Sequence, residues 1–382
     1  MVAIYVDPDF YPPTINAILN LAECFKEVIV ISRNNAADNF HYPENVRQIK
    51  IGKCCTVRQM ENQAVWIKAL SFLKFAFQLY RYSNQKTRLI LLYDPIALYG
   101  FHLIKNIIKK KDKKIWYHNH DMPLKNLVSR FSVSGLAAKH EYSAMNSIDF
   151  FSLPSAERKL CYPGLKSDIP VFIIPNYPSL KLYTILPQKE YERNTIKIIF
   201  QGFIGKGICL ENFIELLQEK IDGRNVHLIL KGSVKNEYKE ELNDLADSFD
   251  VRRQLTWVPI GPYRGLAGLT ASCDIGIGIN KNTDTISKML GTASNKIYEY
   301  AACGLPVLLY DSEQYNKYLG KYDWAFFTDG SVNSLRDKIK LMLENLPALS
   351  KSARYFFEKD LNFETVFQPA LEKVISFKNK IV

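Results

Sequence analysis

Apolar residues fall into two alternating registers along this chain. Short β-branched and aromatic runs at 2–6, 28–32, 46–51, 88–93, 114–118, 148–153 and 171–174 read as strands. Several are apolar on both faces, as a parallel sheet covered by helices requires. Between most of them lie stretches of helical periodicity, notably 14–26, 63–82 and 96–109. The βαβα order predicts an α/β fold with a doubly wound parallel sheet.

A break follows at Pro175 and Pro178, and the polar stretch 179–194 has no sustained period, which reads as a linker. The alternation then restarts, with strands at 196–200, 226–231, 254–258, 274–279, 306–310 and 324–327. Helical patterns cover 210–220, 235–249, 263–272 and 295–303, and everything from 331 onward looks helical with a break near Pro347. The expected layout is a Rossmann-like domain over 1–178, a linker over 179–194 and a second Rossmann-like domain over 195–360. The last stretch, 361–382, is expected to pack back on the first domain as a helix. Sheets of this kind bind ligands beyond the carboxyl ends of their strands, so a cleft between the two domains is the expected site.

Composition adds limits. With 382 residues, 47% of them hydrophobic, the chain can fill two sizeable cores. Its seven cysteines are scattered, with Cys54 and Cys55 adjacent and no metal-binding spacing, which reads as buried free thiols in a reducing compartment. No signal-peptide pattern precedes the first strand, and no apolar stretch reaches the roughly 20 residues a membrane span needs. The expectation is a cytoplasmic protein. A net charge of +11 suits an anionic partner, but no nucleic-acid-binding module accompanies it.

The segment 63–88 mixes aromatic and basic residues. Trp66, Leu70, Leu73, Phe77 and Tyr80 share one helical face and are expected to pack on the sheet, with Phe72, Phe75, Leu79 and Tyr82 opposite. A helix apolar on two faces is either sandwiched between elements or touches a membrane or lipid-linked acceptor. The basic run KKKDKK at 109–114 is either solvated charge or, with that helix, a sign of peripheral attachment to the inner face of an anionic membrane.

Two segments carry candidate chemistry. Phe200-Gln201-Gly202-Phe203-Ile204-Gly205-Lys206-Gly207 reads as a glycine turn between strand and helix, where backbone amides and Lys206 can meet a phosphate. A plain strand-to-helix turn is the alternative. In the stretch 292–309, Ser294 or Asn295 suits the N-cap of a helix that Gly304 ends, and Pro306 opens the next strand. The helix start favours an anion by roughly 0.3–1 kcal/mol, and Glu299, one turn in, can accept hydrogen bonds from the vicinal hydroxyls of a ribose. Asp7-Pro8-Asp9 has a metal-binding spacing but reads as a turn.

The strings FQGFIGKG, LILKGS, LTWVPI, CDIGIGI and ASNKIYEYAACGLPVLL, in that order, resemble the nucleotide-binding half of GT-B glycosyltransferases, most of all the retaining family four. YDPIAL, WYHNHD and IIPNYP echo the first half. The resemblance implies two Rossmann-like domains and transfer of a sugar from a nucleoside-diphosphate donor, with retention, to a glycan or lipid-linked acceptor in surface polysaccharide synthesis. Glu299 would bind the ribose, and Thr292, Ala293, Ser294, Asn295 and Lys296 the diphosphate and sugar. Gly202 and Gly205 would line the phosphate side. His120 would touch the donor sugar. The family's basic residue in the first loop has Lys206 or Lys231 as its substitute. Its first paired glutamate falls on Gly291. No metal and no cofactor are expected, since amides and a lysine can meet the leaving phosphate. A sugar-nucleotide epimerase and a non-catalytic sugar-nucleotide-binding partner stand as alternatives.

Overall fold

The structure, a computed structural model, describes residues 1–35, 40–84, 86–108, 113–121, 132–184, 186, 194–281 and 289–376. It divides into two compact units: Met1–Pro175 together with the chain from Phe363, and Asn176–Asn362.

The first unit holds strands β1 (Val2–Ile4), β2 (Val28–Arg33), β3 (Val46–Ile51), β4 (Leu89–Tyr93), β5 (Lys114–His118), β6 (Phe150–Leu153) and β7 (Val171–Ile173). They pair in parallel in the order β3-β2-β1-β4-β5-β6-β7. Every residue of β2 and β4 is buried, which explains why their sequences run apolar without alternation. Helices α1 (Pro12–Cys24), α2 (Val57–Glu61), α3 (Val65–Ser83), α4 (Asp94–Ile104) and α5 (Val133–Met145) lie between the strands.

The second unit holds β8 (Thr195–Ile204), β9 (Lys220–Ile221), β10 (Arg224–Val234), β11 (Leu255–Val258), β12 (Ile275–Ile277), β13 (Val307–Tyr310) and β14 (Ala325–Thr328). Apart from the short antiparallel β9, they run parallel in the order β11-β10-β8-β12-β13-β14. Its helices are α6 (Leu210–Leu216), α7 (Asn236–Ser248), α8 (Leu266–Ala271), α9 (Asn295–Ala302), α10 (Glu313–Leu319), α11 (Val332–Glu344) and α12 (Leu346–Lys359). Omitting β7 and β9, both sheets follow the same doubly wound order, 3-2-1-4-5-6. The order reverses between β1 and β4 in one unit and between β8 and β12 in the other, the places where such sheets take ligands.

The last helix, α13 (Phe363–Ser376), belongs to the first unit. Its Phe363, Phe367, Leu371 and Val374 join the core that contains Trp116, with Phe367 stacked on the Trp116 ring at 5.5 Å. A break at 360–362, between helices ending at Lys359 and starting at Phe363, precedes α13.

Three expectations change. The stretch read as a linker from 179 is ordered where described: Leu180–Leu182 forms a 3-10 turn, and Tyr183 is buried in the second unit's core. The glycine segment after Phe200 is not a turn at once, because β8 continues to Ile204 beside β10. The face of α3 that packs inward is the opposite of the expected one. Phe72, Phe75, Leu79 and Tyr82 are buried, whereas Trp66, Leu70, Leu73 and Phe77 are exposed. Periodicity defines both faces equally. What selects between them is fit, since Phe72 and Phe75 meet the Tyr5 ring edge-on and Leu79 and Phe75 close over Gly100 of α4.

None of the seven cysteines is in a disulfide, and only Cys209, Cys273 and Cys303 are buried. Asp7-Pro8-Asp9 is the expected turn, with Asp7 bonded to the Asp9 amide and Lys50, and Asp9 to the Phe40 amide and Tyr42. Most of the KKKDKK run, at 109–112, and half of the linker, at 185 and 187–193, lie outside the described residues.

Truncating the buried face of α3 should therefore cost far more than truncating its exposed face. In urea unfolding, Phe75→Ala should lose about 3–5 kcal/mol and Phe77→Ala no more than about 0.5 kcal/mol. Equal losses would contradict the orientation.

Candidate functional site

In the second unit, the carboxyl ends of β8 and β10 and the start of α9 form one group. Gly202 and Gly232 face each other across the β8–β10 ladder, both at positive φ, +126° and +143°. A Cβ on Gly232 would stand 1.8 Å from the Gly202 carbonyl oxygen, so the approach needs glycine. Gly202 is exposed, and the space a Cβ would take there meets Lys296 Cε at 3.2 Å and Nζ at 3.4 Å.

Lys296 comes from the first turn of α9. Its ammonium lies 4.3 Å from the centre of the Phe200 ring. Among the described residues it makes no ion pair. Desolvation lowers its pKa to about 8, with Glu299 opposing the shift. Ser294 is the N-cap by position, but its side chain makes no capping bond. Among the described residues, the first-turn amides and the ammonium thus share one end of the helix with no side-chain anion on the cap.

Glu299 points inward. Its Oε1 accepts from the Tyr263 hydroxyl at 3.0 Å and its Oε2 from Gln201 Nε2 at 2.6 Å. Thr270 in turn donates to Gln201 Oε1 at 2.9 Å, and Tyr183 lies against the Tyr263 hydroxyl. Burial raises the Glu299 pKa to about 7, against the pull of Tyr263, Gln201 and Lys296.

Residues 292–293, just before α9, are held by Asn176 of the IIPNYP string. Asn176 donates its side-chain amide to the Ala293 carbonyl at 2.8 Å and its backbone N–H to the Thr292 carbonyl at 3.1 Å. Tyr177 packs edge-on against Tyr298. Gly291, where the resembling family has a glutamate, sits at φ +46°, a conformation that suits glycine. Tyr263, Gln201 and Thr270 were also missed, because no motif marks a tyrosine or glutamine as a carboxylate's partner.

Other candidates turn elsewhere. Lys206 is exposed and pairs with Glu241 on α7 at 3.1 Å, because the β8 extension carries it away from the α9 end. Lys231 donates to the Pro259 carbonyl at 3.0 Å, and desolvation lowers its pKa. Gly205 has ordinary φ and abuts only the Phe203 ring. Thr292 and Ala293 are buried, whereas Ser294 and Asn295 are half-buried.

In the first unit, His120 follows β5 and is 3% exposed. Its Nδ1 lies 3.2 Å from Asp94 Oδ2 and its Nε2 3.1 Å from the Thr14 hydroxyl, so both ring nitrogens have protein partners. A carboxylate only accepts, which places a hydrogen on Nδ1. The ring is stacked between Tyr11 and Tyr93, at 5.0 Å and 4.6 Å. Asp94 holds the His120 amide too and sits at φ +66°, while Arg158 donates to the His120 carbonyl.

The fold and this end-of-strand group define the class: the chain has the GT-B fold, two Rossmann-like units in one polypeptide. It is similar to sucrose-phosphate synthase from Thermosynechococcus elongatus, at 12% identity and a TM-score of 0.67 over 97% of each chain. It is also similar to Anabaena HepE in complex with UDP and glucose, at 14% identity and a TM-score of 0.66, covering 99% of this chain and 100% of that one. A third likeness, to the E. coli trehalose-6-phosphate protein bound with UDP-2-fluoro glucose, has 10% identity and a TM-score of 0.64 over 99% of each chain. No family model matches the chain, and no curated protein sequence does.

The Glu299 shift makes a pH prediction. A carboxyl whose folded pKa lies above its unfolded value binds more protons when folded, so its ionisation costs stability as pH rises from about 4.5 to about 7. The stability gap between Glu299→Gln and the wild type should therefore grow in favour of the variant by on the order of 3 kcal/mol across that window. Denaturant melts at pH 5 and pH 8 check it, and a pH-independent gap would contradict the assignment.

Proposed function

We propose that the chain is a glycosyltransferase that moves a sugar from a nucleoside-diphosphate donor to a glycan or lipid-linked acceptor, with retention, in surface polysaccharide or glycoconjugate synthesis. The observation that carries the reading is Lys296: a desolvated ammonium without an ion pair among the described residues, set beside Gly202 and the start of α9. A diphosphate supplies the missing anion. The fold supports the reading, as do the UDP and UDP-glucose named in structures of similar fold.

Transfer from a sugar diphosphate leaves charge on the departing nucleotide. An ammonium and first-turn amides stabilise that charge without reorganising, which is where such sites gain rate. Thr292, Ala293, Ser294 and Asn295 give the backbone of the phosphate loop, which Asn176 holds in place. Glu299, with lone pairs left after its two protein bonds, takes the ribose hydroxyls. Gly202 leaves the room that a phosphate needs beside Lys296. Charge stabilisation falls to Lys296 rather than Lys206, whose ammonium is engaged by Glu241. His120, bonded at both nitrogens, fixes the loop after β5 in this reading, and Lys231 and Gly205 take no direct part. Transfer is metal-independent and proceeds at the inner face of an anionic membrane.

A second reading, a non-catalytic sugar-nucleotide-binding partner, is favoured by the glycine at 291 and by the occupied nitrogens of His120.

Thermal shift with UDP-, GDP- and ADP-sugars, followed by nucleotide release with candidate acceptors, separates the two. Stabilisation by at least one donor and acceptor-dependent release that survives a chelator are expected, with Glu299→Ala weakening donor binding by about tenfold or more. Binding without turnover favours the second reading, and no binding of any nucleotide removes both.

A further inference from the structure

The apolar face that α3 leaves outward has no counterpart in the folded unit. Trp66, Leu70, Leu73 and Phe77, at the helical spacing i, i+4, i+7 and i+11, are 68%, 46%, 59% and 58% exposed. Val65, beside the stripe at the helix start, is 73% exposed. Single exposed apolar residues are ordinary, but a stripe three turns long is a contact surface.

The surroundings say what it contacts. From Val65 to Ser83, α3 carries Lys68, Lys74 and Arg81 and no acidic residue. Between this helix and the β3 edge lies an open pocket of about 440 Å³, lined by Ile49, Lys50, Gly52, Leu73, Lys74 and Phe77 among others. Two residues of the apolar stripe form part of its wall, so one ligand can meet carbon and cation together. Behind Gly52 stands Arg33, 2% exposed, with its guanidinium nitrogens 3.9 Å from where a Gly52 Cβ would be. Arg33 donates to the Tyr5 hydroxyl and to Gln63 Oε1, both uncharged, and its Nε has no partner. Among the described residues, Lys50 alone of these cations has a carboxylate beside it, Asp7 at 2.8 Å. The pocket therefore carries positive potential that the described residues do not cancel.

We propose that this face of α3, with the pocket beside β3, seats the protein on an anionic phospholipid bilayer. Trp66, Leu70, Leu73 and Phe77 enter the boundary between headgroups and acyl chains, while Lys74, Lys50 and Arg33 draw a lipid phosphate toward the pocket. A soluble anion would use the cations but leave the stripe in water. A second copy of the chain would use the stripe but bring the same cations against each other. An anionic bilayer satisfies both features. The proposal rests on the part of the proposed function that puts the chain at a membrane, not on its transfer chemistry.

The test is co-sedimentation of the full chain, without nucleotide, with phosphatidylglycerol–phosphatidylcholine vesicles and with phosphatidylcholine alone. Of the four tryptophans, Trp66 is the most exposed, so its emission should shift to the blue on binding. The expected result is binding that needs the anionic lipid, weakens in salt and falls at least about tenfold in the double variant Trp66→Ser, Phe77→Ser. Lys74→Glu should weaken it severalfold. Nucleotide-induced thermal shift should be the same in these variants as in the wild type, which separates failure of the membrane seat from failure of the donor site. The proposal is overturned by absent vesicle binding, by variants that bind as well as the wild type, or by a concentration-dependent dimer in its place that the double variant abolishes.

Discussion

Tyr300 occupies the space that a side chain on Gly276 would fill, and much of the second unit depends on that contact. A Cβ there would come within 2.4 Å of the ring, and one on Gly278 within 2.7 Å of Leu309 and 3.1 Å of Ile297. Gly276 in β12 and Gly278 just beyond it thus let α9 lie close on the sheet, and the Gln201 backbone N–H donates to the Tyr300 hydroxyl to fix the end of β8 against it. With the helix in that place, Lys296 reaches Gly202 and Glu299 reaches Gln201. A bulkier β12 would move both charged groups away from the strand ends.

Close packing also removes water from the two charges. Both pKa values shift toward the neutral form, the carboxyl to about 7 and the ammonium to about 8. Desolvating a charge costs folding free energy, at the buried Glu299 and in part at the half-buried Lys296, and a ligand that brings the complementary charge returns it as affinity. Tyr263 and Gln201 keep Glu299 from being wholly unsatisfied, while Lys296 has only an aromatic ring and a distant carboxylate. Among the described residues the group is therefore unbalanced toward positive charge at the Gly202 side.

Much of this was legible in the sequence. Runs buried on both faces, such as β2 and β4, announce a parallel sheet directly, and the capped helix ending at Gly304 falls within a residue of its place. What could not be read was direction. Helical period marks two apolar faces of α3 but carries no sign, and only Tyr5 and Gly100 decide which turns inward. The glycines after Phe200 read as a turn because glycine favours turns. Here they let two strands run on together, a pairing that involves Gly232, thirty positions away. Lys206 and Lys296 are equally plausible phosphate ligands on paper, and the strand extension separates them.

The central claim is that Lys296 and the start of α9 await a diphosphate. Calorimetric titration of UDP, GDP and ADP, each against its nucleoside, on the wild type and on Lys296→Met is the most direct measure. The account predicts that at least one diphosphate binds the wild type about tenfold or more tighter than its nucleoside, and that the gap narrows sharply in the variant. An equal gap in both proteins, or no preference for the diphosphate at all, would contradict it.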